Sequence, residues 1–339
     1  MIRTPLLSRD YEFSVEEITN CPVCNSRQRQ LLFVGYDDRF GQPDEFPVVE
    51  CLECGLGYLG IRVAVGDAGR LYSKYYGKSY FPPVGVTGVG RLKHTVKLSL
   101  LYKIYRRFSS RIDLYNEISM RPLERPRVLD IGNGAGAAVY GAHYIVNVLK
   151  GSWIGIDIDE HVCAKIRDLG FEAFCCKLED FAKRESLSNH LGSFTHIVAS
   201  QLIEHIYNPR SFLQAASALM SPDGRLIVSC PNYDSFFKRR FGKKWIHWHI
   251  PYHLYHFNDN NLKILLARSA LELIKFNTVT PATWETMQSR FRMPGRGEYN
   301  AFMSAKGGLF RQLIVDLRFR RENRSGQGDA IVLVAKKIG

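Results

Sequence analysis

The sequence predicts an α/β chain: a sheet covered by helices on both faces, preceded by a small ribbon held together by cysteines. Three observations carry this. From about residue 126 onward, short apolar runs of strand length alternate with stretches of helical spacing. RVLDIGNGAGAAVY places glycines 132, 134 and 136 between one such run and the next helical stretch. Near the front, CPVC and CLECG form two Cys-x-x-Cys pairs.

Composition sets the outer bounds. The chain has 339 residues, 45% hydrophobic and 23% charged, which suits one generous core plus a smaller unit. Its net charge of +13 favours an anionic partner, or else marks a solvated basic face. MIRTPLLSRDYEFSVEE holds no apolar run of signal-peptide length, and no window approaches the ~18 apolar residues of a membrane span. A cytoplasmic chain is therefore expected, with its eight cysteines as thiols or metal ligands.

Taken in chain order, residues 1–70 form the ribbon. Cys21, Cys24, Cys51 and Cys54 supply four thiolates from two tight knuckles, the tetrahedral sulfur set that zinc prefers. Such a site has no open position for water, so the expected zinc is structural. Residues 71–125 join the ribbon to the main domain: a tyrosine- and glycine-rich loop, then RLKHTVKLSLLYKIYRRF with apolar residues at helical spacing.

Residues 126–339 form the main domain. Val128–Ile131 reads as a strand, and the glycine turn after it lets backbone amides approach a ligand. By itself this pattern also satisfies a dinucleotide fingerprint. Asp130, just before the turn, is poorly placed for a pyrophosphate and well placed for a cationic or amino-bearing ligand. WIGIDIDEHV is a second strand ending in Asp157, whose carboxylate can accept from both hydroxyls of a ribose. HIVASQLIEHIYNP and SPDGRLIVSCPN continue the series.

With these segments in view, the chain from about Arg127 onward resembles the class I S-adenosylmethionine-dependent methyltransferases, in the broad branch of ubiquinone-type and sugar methyltransferases. DIGNGAG is similar to that family's glycine loop, GIDID to its ribose-binding strand end, and LIEHIYNP to its segment after the fourth strand. The resemblance implies a Rossmann-like seven-stranded sheet whose last strand, at GDAIVLVAKK, is antiparallel. It assigns Asp130, Gly132, Gly134 and Gly136 to the methionine portion of S-adenosylmethionine and Asp157 to the ribose. Ile158 would flank the adenine, Leu178 and Glu179 would meet its edge, and Ser200 and Gln201 would reach the cofactor from the fourth strand. Tyr75 and Tyr76 are candidates to close over it. For the apolar members of this set, core packing is an equal reading.

Methyl transfer needs water excluded, the acceptor aligned, and a proton removed from it. His205 follows the fourth strand at the ligand crevice, beside Glu204, which could orient it or help to hold a divalent ion as in the quinone-type relatives. WIHWHIPYHLYHF, residues 245–257, follows the fifth strand and is expected to be an aromatic, imidazole-bearing lip over the site. His249 and His253 are its candidates for base or substrate contact. Pro251 interrupts a helical ligand spacing there, and the stretch holds no acid or cysteine to complete a zinc site.

The acceptor expected is an oxygen, or a carbon, of a sugar, glycan or related small metabolite. LIEHIYNP stands where an amine-methylation motif would. Residues 281–327 are long for a connection between the last two strands and read as a lid-like insertion with an amphipathic helix from Gly308 to Phe319. KRRFGKKW and RFRRENR are candidates for a nucleotide-sugar pyrophosphate, an anionic membrane surface, or RNA, the last as an rRNA or tRNA methyltransferase alternative.

Overall fold

The computed structural model describes residues 10–76, 125–132, 134, 141–184, 189–300 and 309–338, with positions 114, 117 and 118. Gly136 and the basic stretch 91–108 lie outside the described residues, as does most of the expected 71–125 connection.

The front of the chain is β1 (Val15–Glu17), β2 (Arg29–Tyr36), β3 (Glu45–Cys51), β4 (Gly57–Leu59) and β5 (Ile61–Val63). It continues into α1 (Val65–Leu71) and a π-helical turn at Tyr72–Tyr76. β1 pairs with β5, while β2, β3 and β4 form an antiparallel meander. The residue after each cysteine pair turns the chain back: Asn25 at φ 68° and Gly55 at φ 72° occupy the left-handed region.

The main sheet is built from β6 (Arg127–Ile131), β7 (Ser152–Asp157), α2 (Glu160–Asp168), β8 (Glu172–Cys175), α3 (Leu178–Lys183) and β9 (Phe194–Ser200). After a 3₁₀ turn at Ile203–His205 come α4 (Pro209–Leu219), β10 (Met220–Pro231) and α5 (Phe236–Phe241). β11 (Tyr255–His256), α6 (Asp259–Ala267), β12 (Leu271–Val279), α7 (Ala282–Arg290), α8 (Leu309–Arg318), α9 (Arg320–Arg324) and β13 (Ala330–Lys337) complete it.

Seven strands run in the order β12-β13-β10-β9-β6-β7-β8. β6, β7, β8, β9 and β10 are mutually parallel, and β13 inserts antiparallel between β10 and β12. This is the expected Rossmann-like sheet with its antiparallel last strand. Central strands are covered on both faces, which is why VLDI and AIVLVA read as continuous apolar runs. Local signals stop and start the helices. Asp159 caps α2, and Asn208 with Pro209 opens α4. Asn258 and Asn261 exchange a capping box at α6.

β11 is the unexpected element. It pairs with β4 across about two hundred residues of sequence, Tyr255 opposite Tyr58 and His256 opposite Gly57, so the ribbon's sheet becomes β11-β4-β3-β2. The ribbon is clamped along this junction. Arg62 donates to the Tyr207 carbonyl and Tyr255 hydroxyl, Tyr233 donates to Glu50, and Arg268 donates to the carbonyls of Val23 and Cys24. One apolar core runs from Phe46 and Tyr58 through Trp245 and Tyr252 into Ile131 and Leu226. Among the described residues, no helix is long and apolar enough to cross a membrane.

Candidate active site

The carboxyl ends of β6, β7 and β9 converge on either side of the point where the chain order reverses, the usual ligand crevice of such a sheet. Gly132 leaves β6 at φ 64° and Gly134 follows at φ 50°. A Cβ on Gly132 would sit 2.6 Å from Leu202, whereas one on Gly134 would meet nothing within 4 Å. Among the described residues nothing fills the space beside Gly134, which suits close approach of a ligand there. Gly134 N–H points to Asp157 Oδ2 at 3.4 Å, and Asp159 N–H donates to Asp157 Oδ1 at 3.0 Å. Burial raises the Asp157 carboxyl above its usual range, offset by those backbone donors.

The other cofactor candidates fall into three groups. Ile158, beside Asp157, is 72% exposed, an apolar side chain left open at the crevice. Leu178 is buried in the core and Glu179 is half-buried in the first turn of α3. Ser200 and Gln201 engage Ser229 of β10: Ser200 Oγ lies 3.2 Å from Ser229 Oγ, and Gln201 Nε2 donates to it at 3.0 Å. Asp130 is buried near the end of β6. Tyr76 packs on Phe40, Tyr72, Tyr252 and His249, so it lines the imidazole cluster described next.

That cluster follows β9. Glu204 is 1% exposed, and among the described residues neither carboxyl oxygen has a hydrogen-bond partner. Burial pushes its acid up to about 8. His205 Nδ1 lies 3.0 Å from the Tyr252 carbonyl and 3.0 Å from the Tyr72 hydroxyl. His253 Nδ1 lies 2.8 Å from the His247 carbonyl. A carbonyl can only accept, so both rings carry their proton on Nδ1 and leave Nε2 as an acceptor. The His205 and His253 rings are 4.7 Å apart, and His249 is 4.7 Å from His253. Burial holds His205 down at about 4 and drives His249 and His253 well below the ordinary histidine range. Burial thus favours the uncharged form of each of these side chains.

One ligand atom each from Glu204, His205 and His253 lies within 4.8 Å of the others. The unpartnered carboxyl and two free imidazole nitrogens make a donor set that fits a divalent ion as well as a shared proton.

The stretch from Trp245 to Phe257 is not a surface lip. Every residue in it is buried. Its first half is held by Asp329, which accepts from Trp245 Nε1 at 2.9 Å and pairs with His247 Nε2 at 3.2 Å. Its last residues become β11. The two candidates between these anchors, His249 and His253, are held in one turn by the Tyr252 and His253 amides donating to the His249 carbonyl. The stretch is a seam joining ribbon to sheet, and it carries two imidazoles inward.

Sequence reasoning passed over the ribbon loop that completes this cluster. In DDRF, Asp37 is fully buried and accepts from the amides of Arg39, Phe40 and Gln42. That turn directs Arg39 toward the Ile246 carbonyl, with its Nε 3.2 Å from Asp38 Oδ1, and sets Phe40 5.6 Å from His249. Burial pushes Asp38 up to about 7 even with Arg39 beside it. Described residues of the 281–327 stretch pack against the same seam. Trp284 lies 4.0 Å from the His247 ring, Gln288 accepts from Ile246 N–H, and Asn300 N–H donates to the Arg39 carbonyl.

At the other end of the ribbon, Cys21 Sγ lies 3.6 Å from Cys54 Sγ, and Cys24 Sγ 3.4 Å from Cys51 Sγ. All four sulfurs fall within 4.8 Å of one another. A tetrahedral ion with bonds of about 2.3 Å needs sulfurs about 3.7 Å apart, so the cluster fits one.

Residues 102–275 match the methyltransferase-domain family. The chain is 28% identical over 121 residues to the mitochondrial ubiquinone biosynthesis O-methyltransferase of Bos taurus, covering 33% of this chain and 30% of the relative. The Homo sapiens counterpart gives 29% over 121 residues with the same coverage. The chain thus spans about 30% of the length of these curated relatives. Among solved structures, it is similar to an S-adenosylmethionine-dependent methyltransferase from Archaeoglobus fulgidus. Identity is 17%, the match covers 70% of this chain and 98% of that one, and the TM-score is 0.43. It is also similar to the Burkholderia thailandensis 1,6-didemethyltoxoflavin-N1-methyltransferase, at 14% identity, 74% and 88% coverage, and a TM-score of 0.41.

Proposed function

Starting from a chain that belongs to the class I S-adenosylmethionine-dependent methyltransferase family, we propose that it methylates an oxygen, or a carbon, of a sugar, glycan or related small metabolite. The observation that carries this is the neutral imidazole cluster one turn beyond β9, with free Nε2 atoms on His205 and His253. A hydroxyl acceptor must lose its proton as it attacks, and a neutral imidazole at the crevice takes it. An amine acceptor in its free-base form needs no such group before attack.

S-adenosylmethionine, when bound, supplies an activated methyl group. Open backbone at Gly134, the Asp157 carboxylate and the exposed Ile158 side chain fit it. Asp157 would hold the ribose hydroxyls and Gly132–Gly134 the methionine portion, with Asp130 on the amino group. On the acceptor side, Tyr252 and Tyr72 orient His205, and Glu204 completes the group with His253. Phe40 and Tyr76 pack on the His249 ring and Trp284 on the His247 ring, which helps to exclude water from this part of the seam. Zinc held by Cys21, Cys24, Cys51 and Cys54 would fix the ribbon and do no chemistry.

The net charge of +13 supports RNA as the second reading of the acceptor. One experiment separates the two. The protein is incubated with S-adenosylmethionine carrying a labelled methyl group and with fractionated extract. Label entering glycan or small-molecule fractions supports the proposal. Label confined to rRNA or tRNA overturns it in favour of the second reading.

A further inference from the structure

We propose that the outer face of α8, with the basic residues that border it, docks on an anionic lipid bilayer. α8 presents two different faces. Gln312, Val315 and the adjoining Phe319 are buried, and Gln312 donates to the Thr280 carbonyl. On the opposite side Leu313, Ile314 and Leu317 are 38%, 49% and 74% exposed, spaced to share one helical face. Three large aliphatic side chains are left in water within two turns of one helix.

The border is basic. Phe319 packs 6.1 Å from Phe236 and 5.1 Å from Phe237, which brings α5 alongside α8. Arg239 of α5 also donates to Gln327 beyond α9. Arg239, Arg240, Lys243 and Lys244 are exposed on the α5 side, and Arg318, Arg320, Arg321 and Arg324 on the α8–α9 side. Across residues 234–244 and 311–324 the exposed acid is Asp234, while Asp316 and Glu322 are half-buried. Gln312 holds Asp316, and Arg311 and Arg318 pair with Glu285 at the base of α8.

The chemistry of the patch selects its partner. Apolar side chains ringed by arginine and lysine fit a headgroup boundary, where the aliphatic face enters the acyl region and the cations meet phosphates. RNA would satisfy the cations and leave the three aliphatic side chains without a partner. A second copy meeting across a two-fold axis would bring the basic border against itself. The docking proposal stands whatever the acceptor is.

The test is sedimentation of the full chain with vesicles. One set is phosphatidylcholine, and the other contains about 30 mol% phosphatidylglycerol. Binding is expected on the anionic vesicles and at least ~10-fold weaker on neutral ones. Ile314→Glu with Leu317→Glu should weaken it ~10-fold or more while circular dichroism and Tm stay unchanged. Arg320→Ser with Arg321→Ser and Arg324→Ser should weaken it and reduce its salt dependence. Equal binding by the Glu double variant overturns the proposal, as does no binding to either vesicle. Binding to RNA in place of vesicles, or a dimer in solution that the Glu variant dissociates, also overturns it.

Discussion

The Nδ1 atom of His205, at the end of the β9 turn, lies 3.0 Å from the main-chain carbonyl of Tyr252 in the buried seam. This contact fixes the imidazole tautomer, so the seam that welds ribbon to sheet also decides which nitrogen is free to take a proton. His205→Asn should keep the fold and the cofactor affinity and lower kcat by ~10²–10⁴. Burial holds His205 at about 4, below the ordinary 6.5, so its neutral form persists as pH falls. The acid limb of kcat/KM should therefore have a midpoint well under 6.5. A midpoint near 6.5, or an unchanged kcat in the Asn variant, assigns the base elsewhere.

Glu204 makes a stability prediction with a definite sign. Its folded pKa is raised from 4.5 to about 8 by burial. As pH rises, the unfolded chain ionises first, so this group's contribution is full below 4.5 and is lost as pH climbs through about 8. Glu204→Gln removes that loss. In protein stripped of divalent ions, the variant should gain on the order of 1–3 kcal/mol at pH 8 and close to nothing at pH 4. Urea unfolding at both pH values measures it. A variant destabilised at both would mean the carboxylate is ionised and compensated in the native fold.

The pairing of β11 with β4 joins the strand that follows the cysteine cluster to the seam that carries His253. Cys54 sits three residues before β4, and its carbonyl accepts from Asn260 of α6. If the cluster holds the proposed zinc, chelation or Cys54→Ser should cost roughly 3 kcal/mol or more, a Tm drop on the order of 10 °C. Activity should fall along with it, because the strand that frees is continuous with His253 and Tyr252. Chelation that lowers Tm and leaves kcat intact would show that the ribbon and the histidine cluster are independent.

The seven-stranded sheet was legible because its strands are buried on both faces and its turns carry glycine or aspartate. Val128–Ile131 and Gly155–Asp157 announce themselves by composition. β11 was not legible. A two-residue strand has no periodicity, and its partner lies nearly two hundred residues away. Aromatic and imidazole side chains in WIHWHIPYHLYHF suggested a ligand-facing surface, yet the same residue types fill an interior here, with Trp245, His247 and Trp248 donating to or pairing with Asp329 and the Gly242 carbonyl. DDRF drew no reading from the sequence, because consecutive charges are ordinarily solvated, and the Asp37 side chain closing on three following amides is what makes its burial possible. An Asp two residues before the Arg and five before Gln42 was the one local hint.

The cofactor site is the central claim, and calorimetric titration with S-adenosylmethionine tests it most directly. One molecule should bind per chain, and Asp157→Ala should weaken binding ~10- to 100-fold by removing the carboxylate that accepts from the ribose. An unbound wild-type chain, or an Asp157→Ala variant that binds as tightly as wild type, would contradict the account.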